Sequence, residues 1–239
     1  MKKIVLATLA AMALSSSVMA LDLVDENENL IFRIGADLEG TQNDAKDVVL
    51  DSDGNPTCNG ACGKLGKDKD MGFEISFGTE EKVNDGEFGS RNIINLYNHG
   101  DAEIHNGGLV TDTTNMGVEA TYELFYSLNK YFKPYIGAGA GINRQTVDYT
   151  ARGDSGGAFM PDMTRDREKE VYEPTLHVLA GISGDIYEGL GYYVSAKYRF
   201  ADTSTTIMPF RQEGNIVSKT IEITGVNGEE YMIGLSYRF

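Results

Sequence analysis

Cys58 and Cys62 are the only cysteines, spaced C-x₃-C. Two thiolates do not complete a zinc site, which takes four ligands. In an oxidising compartment an even pair reads as a disulfide, here closing a tight loop around Asn59-Gly60-Ala61. Just upstream, Asp51-Ser52-Asp53-Gly54-Asn55 carries part of a calcium-loop pattern. It lacks the length and terminal Glu of an EF-hand, and these residues favour turns for backbone reasons. No metal site is expected there, although acidic loops suit loose divalent bridging to lipopolysaccharide. His99, His105 and His177 are scattered, the first two in a long loop. None sits in a Ser/His/Asp or Cys/His spacing that would activate a nucleophile. No catalytic residue and no cofactor are expected, and the chain does not read as an enzyme. Arg165-Asp166-Arg167-Glu168-Lys169-Glu170 alternates in charge and reads as a solvated strand extension.

The remaining chemistry lies in single charges at alternate positions. Arg33, Asp37, Glu39, Glu74, Glu119, Glu123, Lys197, Arg199 and Arg238 each sit on the polar side of a segment that alternates with period two. Seven segments are clear, over 30–38, 71–78, 116–124, 134–143, 176–183, 192–200 and 231–239. An eighth, weaker one runs from Ser90 to Tyr97, with Ile94 and Leu96 on its apolar face. Charged residues make up 24% of the chain, yet none falls on the seven apolar faces. The alternation therefore marks a face buried against something apolar.

A soluble sandwich or barrel also segregates its faces, with the apolar side inward. Three features favour lipid outside instead. The polar face is rich in Gly, Ser and charge, as the crowded interior of a narrow barrel requires. Gly137, Gly139 and Gly141 would weaken a solvent-facing strand, whereas inside a barrel they leave room for Tyr135 and Tyr193. Aromatics sit near strand ends on the apolar face: Phe77, Tyr122, Tyr192, Phe200, Tyr231 and Phe239. Connections also alternate in length. Short ones, as at Ser127–Tyr131 and Gly184–Gly191, separate long ones at about 40–70, 98–114, 144–170 and 201–228. Short turns on one side and long loops on the other are the pattern of membrane-spanning barrels.

The two ends of the chain agree. Met1-Lys2-Lys3, an apolar run from Ile4 to Leu14 and small residues up to Ala20 read as a secretory signal peptide over 1–20. The apolar run is shorter than the ~20 residues a spanning helix takes. Residues 21–239 are then one barrel domain. The last strand ends on Phe239, with Tyr231, Ile233, Leu235 and Tyr237 on the same face. The formal net charge of −15 excludes a basic footprint for nucleic acid.

The signal peptide, the segment Pro134–Ile142 and the terminal Leu235-Ser236-Tyr237-Arg238-Phe239 resemble those of small outer-membrane β-barrel proteins of the OmpX-like, OmpW-like and Opa-like kind, often grouped as porin-like outer-membrane proteins. The resemblance implies an all-β, eight-stranded, antiparallel up-and-down transmembrane barrel in a Gram-negative outer membrane. It also implies insertion by the barrel assembly machinery, with Tyr231, Ile233, Leu235, Tyr237 and Phe239 as the assembly signal. Its expected partners are membrane lipid, lipopolysaccharide and a host or surface partner met through the loops. The expected role is structural, surface-display or adhesion-type. The alternatives are a narrow channel for small or hydrophobic molecules and a soluble periplasmic ligand-binding barrel. The lumenal charges are expected to pair into a hydrogen-bonded plug, because unpaired charge is costly in so narrow a space.

Overall fold

The computed structural model describes residues 28–38, 41–50, 56–57, 64–83, 87–106, 109–151, 167–201, 204–207, 220–224 and 228–239. Thirteen strands lie among them: β1 Glu28–Asp37, β2 Thr41–Leu50, β3 Pro56–Thr57, β4 Lys64–Asp70, β5 Gly72–Val83, β6 Phe88–Asn106, β7 Leu109–Tyr126, β8 Lys133–Ala151, β9 Arg167–Tyr187, β10 Leu190–Ala201, β11 Ser204–Ile207, β12 Thr220–Thr224 and β13 Gly228–Arg238. Eight of them close a barrel in the order β1-β13-β10-β9-β8-β7-β6-β5, with every neighbouring pair antiparallel. These are the eight alternating segments of the sequence, including the weak one, which becomes β6.

Period two settles which side each residue takes. On β1, Ile31, Arg33, Gly35 and Asp37 are buried, while Leu30, Ile34, Ala36 and Leu38 are exposed. The barrel is thus charged inside and apolar outside. Its largest fully buried side chains include Arg199, Glu80, Glu119, Glu123 and Glu230, and its exposed ones include Phe73, Leu124, Ile136, Val194 and Leu235. A soluble ligand-binding barrel would have the reverse arrangement. On β8 the apolar outer run goes from Pro134 to Ile142 and then changes to Arg144. At ~3.3 Å per residue and a tilt near 40°, that run is roughly 20 Å tall, close to the ~25 Å apolar band of membrane barrels.

The short connections all lie at one end. The tightest joins β9 to β10 through Glu188 and Gly189, whose φ angles of 27° and 85° are both positive. Two positive φ angles are what a primed hairpin turn demands, and glycine accepts the second without strain. Aromatics ring this end. Phe88 and Tyr126 pack at 4.7 Å, Tyr237 and Phe239 at 4.8 Å, and the Tyr192 hydroxyl donates to the Tyr131 carbonyl at 2.8 Å.

At the opposite end β6, β7, β8 and β9 run on for 18 to 21 residues, while β1, β5, β10 and β13 have 10 to 12. Much of what reads as loop over 98–114 is therefore β6–β7 ladder, irregular between His99 and Ala102 and paired as far as Asn106 and Leu109. A second small sheet forms here, with β2 between β12 and the β3 and β4 strands, and β11 beyond β12. Strand β12 pairs with β11 on one side and β2 on the other.

Candidate functional site

The interior is where charged side chains converge, and the ladders decide which of them meet. Inward positions on β1, β5, β7, β10 and β13 carry the residues that alternation selects: Arg33, Asp37, Glu74, Glu119, Glu123, Lys197, Arg199 and Arg238. Glu39, Cys58 and Cys62 lie outside the described residues. Arg33 and Arg238 are on adjacent strands, but Arg238 stands opposite Ile31 rather than Arg33, and the two cations go to different carboxylates.

The half nearer the short turns is built around arginine. Arg33 forms a bidentate pair with Glu123 at 2.7 and 2.9 Å. Arg91 donates from Nε to Glu80 at 2.7 Å and from Nη1 to Glu123 at 3.1 Å, and its Nη2 reaches the Ser183 hydroxyl at 3.0 Å. Arg238 donates to Glu80 at 2.9 Å and pairs with Asp185, which also accepts from Lys133 at 3.0 Å. Aromatic rings fill the space between these groups. The Arg91 guanidinium lies 4.4 Å from the Phe125 ring centroid, and that of Arg33 lies 5.1 Å from Tyr193. Planar guanidinium suits both the carboxylate fork and the ring face.

The half nearer the long strands is built around carboxylates. Lys197 reaches Glu74 at 2.7 Å and Glu119 at 3.3 Å. Arg199 grips Glu119 through Nε at 2.7 Å and Nη2 at 3.1 Å, pairs with Glu230, and lies 4.2 Å from the Tyr97 ring centroid. His177 Nδ1 is 3.5 Å from Glu119, and its Nε2 is 3.0 Å from the Thr121 hydroxyl. His99 lies between Asp37 at 3.9 Å and Glu230 at 3.6 Å. It belongs to β6 and is buried, so it is not the loop residue its neighbourhood suggests. The Asn95 amide completes this half by donating to Thr121 at 2.6 Å.

The glycines create room, though not where spacing alone places it. A Cβ on Gly181 would stand 2.5 Å from Tyr135 Cζ, and one on Gly139 would stand 2.5 Å from His177 Cε1. Gly35 and Gly234 lie against Tyr193, while Gly137 and Gly141 lie against Leu179, Glu123 and Glu119. The room for Tyr135 and Tyr193 therefore comes from β9, β1 and β13, and the β8 glycines make way for His177 and the glutamates.

Sequence reasoning missed Glu80, Arg91, Lys133, Asp185 and Glu230. Four of them continue a recognised alternation by one step: Glu80 beyond Ser76 and Gly78, Lys133 before Tyr135, Asp185 after Ser183, Glu230 before Met232. Arg91 had a weaker signal, because the outer face of β6 carries Ser90, Asn92 and Asn98. No group of His, Cys, Asp and Glu suited to a metal ion occurs among the described residues.

A closed antiparallel barrel with an apolar skin and a charge-filled interior defines the class as a membrane-spanning β-barrel of the outer-membrane type. Solved structures share this fold. The outer membrane protein OprG from Pseudomonas aeruginosa is 16% identical with a TM-score of 0.52, covering 88% of this chain and 95% of its own. A major outer membrane protein from Thermus thermophilus is 11% identical with a TM-score of 0.51, covering 89% and 99%. Ail, the attachment invasion locus protein of Yersinia pestis, is 16% identical with a TM-score of 0.45, covering 90% and 100%. No family model and no curated protein matches the sequence.

Proposed function

We propose that this chain is an outer-membrane barrel that works as a scaffold, with a plugged interior and its contacts made by the strands that rise beyond the membrane. One observation carries the reading: the ion pairs run across the lumen. Arg33 on β1 reaches Glu123 on β7, Lys197 on β10 reaches Glu74 on β5, and Arg199 on β10 reaches Glu119 on β7. Each of these links spans three steps around an eight-stranded ring. A barrel of this size has little interior beyond its side chains, and charges paired this way are costly to separate. A water-filled path would have to break them.

The role that fits is surface display or adhesion-type contact with a host or surface partner through the elevated strands. Lipid and lipopolysaccharide surround the apolar belt. Insertion by the assembly machinery through Tyr231, Ile233, Leu235, Tyr237 and Phe239 fits their place on the outer face of β13, where all five are exposed. An export signal over 1–20 and a Cys58–Cys62 disulfide belong to the same reading. A non-enzymatic role fits the burial of His99 and His177 among interior charges.

Planar-bilayer conductance tests the plug. Wild type and Glu119→Ala should both fail to give steady unitary currents. Steady currents that change with Glu119→Ala would replace the scaffold with a channel. Recovery of the chain in the soluble periplasm would overturn the membrane placement itself.

A further inference from the structure

The outer wall of the barrel carries a groove of about 500 Å³ across β6, β7 and β8, close to the short-turn end. Its origin lies in the register. Going around the wall, Phe88 stands beside Tyr126, Ser90 beside Leu124, and Asn92 beside Tyr122; Leu124 in turn stands beside Ile136. The wall therefore dips at Ser90, between Phe88 with Tyr126 on one side and Tyr122 on the other, and Leu124 and Ile136 continue the Ser90 row across β7 and β8. The paired rings of Phe88 and Tyr126 form one rim, and Tyr122 forms the other. The trough crosses several strands, so it is longer than the gap beside one side chain.

We propose that this groove seats one acyl chain of an anionic phospholipid from the leaflet on the short-turn side. The inference rests on the membrane reading above. The trough lies within the apolar belt, so a hydrocarbon chain is what meets it, and burying apolar surface there is favourable. The headgroup end is also provided for. Lys130 is exposed in the turn that starts directly after Tyr126, with its ammonium 4.7 Å from the Tyr131 ring centroid. A phosphate at the level of the aromatic ring would meet that cation, in a protein whose net charge is otherwise strongly negative.

The test is native mass spectrometry of the full chain in detergent micelles doped with dioleoyl phosphatidylglycerol or, separately, dioleoyl phosphatidylcholine. Wild type should retain one phosphatidylglycerol. Ser90→Phe fills the trough and should lower retention about tenfold. Val194→Phe adds a ring to the outer wall on β10 and should leave retention unchanged. Lys130→Gln should abolish the preference for phosphatidylglycerol over phosphatidylcholine. Equal retention by wild type and Ser90→Phe would overturn the groove, as would an equal loss in Val194→Phe. An unchanged preference in Lys130→Gln would overturn the headgroup contact. Each variant is checked for the compact, heat-modifiable gel band of a folded barrel. Compact variants with equal retention sink only the groove, whereas absence of that band in wild type sinks the membrane reading.

Discussion

The two halves of the lumen solve the same problem with opposite resources. Near the short turns, Arg33, Arg91, Lys133 and Arg238 face Glu80, Glu123 and Asp185. Near the long strands, among the described residues, Lys197 and Arg199 face Asp37, Glu74, Glu119 and Glu230, with His99 and His177 among them. The first half has more cations than carboxylates and the second has fewer. Redundancy follows from this difference. Glu123 keeps one arginine if it loses the other, and spare cation density rests on the rings of Phe125, Tyr135 and Tyr193. In the second half Arg199 holds Glu119 and Glu230 together, and among the described residues no second guanidinium pairs with either.

That contrast makes Arg199→Met the most damaging change. It takes from Glu230 its guanidinium partner, leaves Glu119 with Lys197 at 3.3 Å, and should cost about 3–5 kcal/mol, measured as urea stability of the refolded barrel by heat-modifiable gel mobility. Arg33→Met should cost about 2 kcal/mol, because Glu123 still accepts from Arg91 at 3.1 Å. Equal losses in the two variants would erase the distinction between the halves. Gly181→Ala crowds the first half, beside its aromatic filling. Its Cβ would meet the Val194 carbonyl oxygen at 2.4 Å and Tyr135 Cζ at 2.5 Å, and overpacking of this kind costs about 1–3 kcal/mol; the same assay would show it, and near-UV dichroism would report displaced tyrosines. Arg144→Ala supplies the external reference. Its pair with Glu170 lies outside the lumen with both side chains about 40% exposed, so less than about 1 kcal/mol should be lost. A larger loss would mean that ion pairs matter irrespective of burial.

The barrel strands were legible because each separates two unlike environments. Tyr231 to Phe239 alternates cleanly, since one face meets hydrocarbon and the other meets charge. The β6 strand was faint because Ser90, Asn92 and Asn98 interrupt its outer face. Strand length was not legible. The apolar signal on β8 ends at Ile142, where the lipid belt ends, yet the hydrogen-bond ladder continues to Ala151. A ladder needs only a partner strand, and alternation needs a second solvent. Nor could Thr41–Leu50 be read as a strand, since its composition shows no face to bury. Within the site, Arg33, Glu119, Glu123 and Lys197 were readable from parity alone. Their pairings were not, because the cross-lumen neighbours of a side chain depend on barrel shear, and single-strand periodicity carries no record of it.

The ladder between β1 and β13 is the shortest of the eight in the barrel, with seven paired positions from Ile31↔Arg238 to Asp37↔Met232. It also joins the ends of the barrel sequence, about 200 residues apart. By polymer statistics, bringing such distant segments together costs roughly 2–3 kcal/mol more than closing a hairpin of about ten residues. Topology thus concentrates the slow, entropically costly event of folding on the ladder with the fewest hydrogen bonds to reward it. The same seam is the first place where thermal fluctuation should part the wall, so amide exchange at Phe32 and Ile34 should run ahead of exchange at the long β7–β8 ladder. The barrel is therefore a ring with a clasp, and its kinetic lifetime in the membrane is set by the clasp more than by the strength of its core.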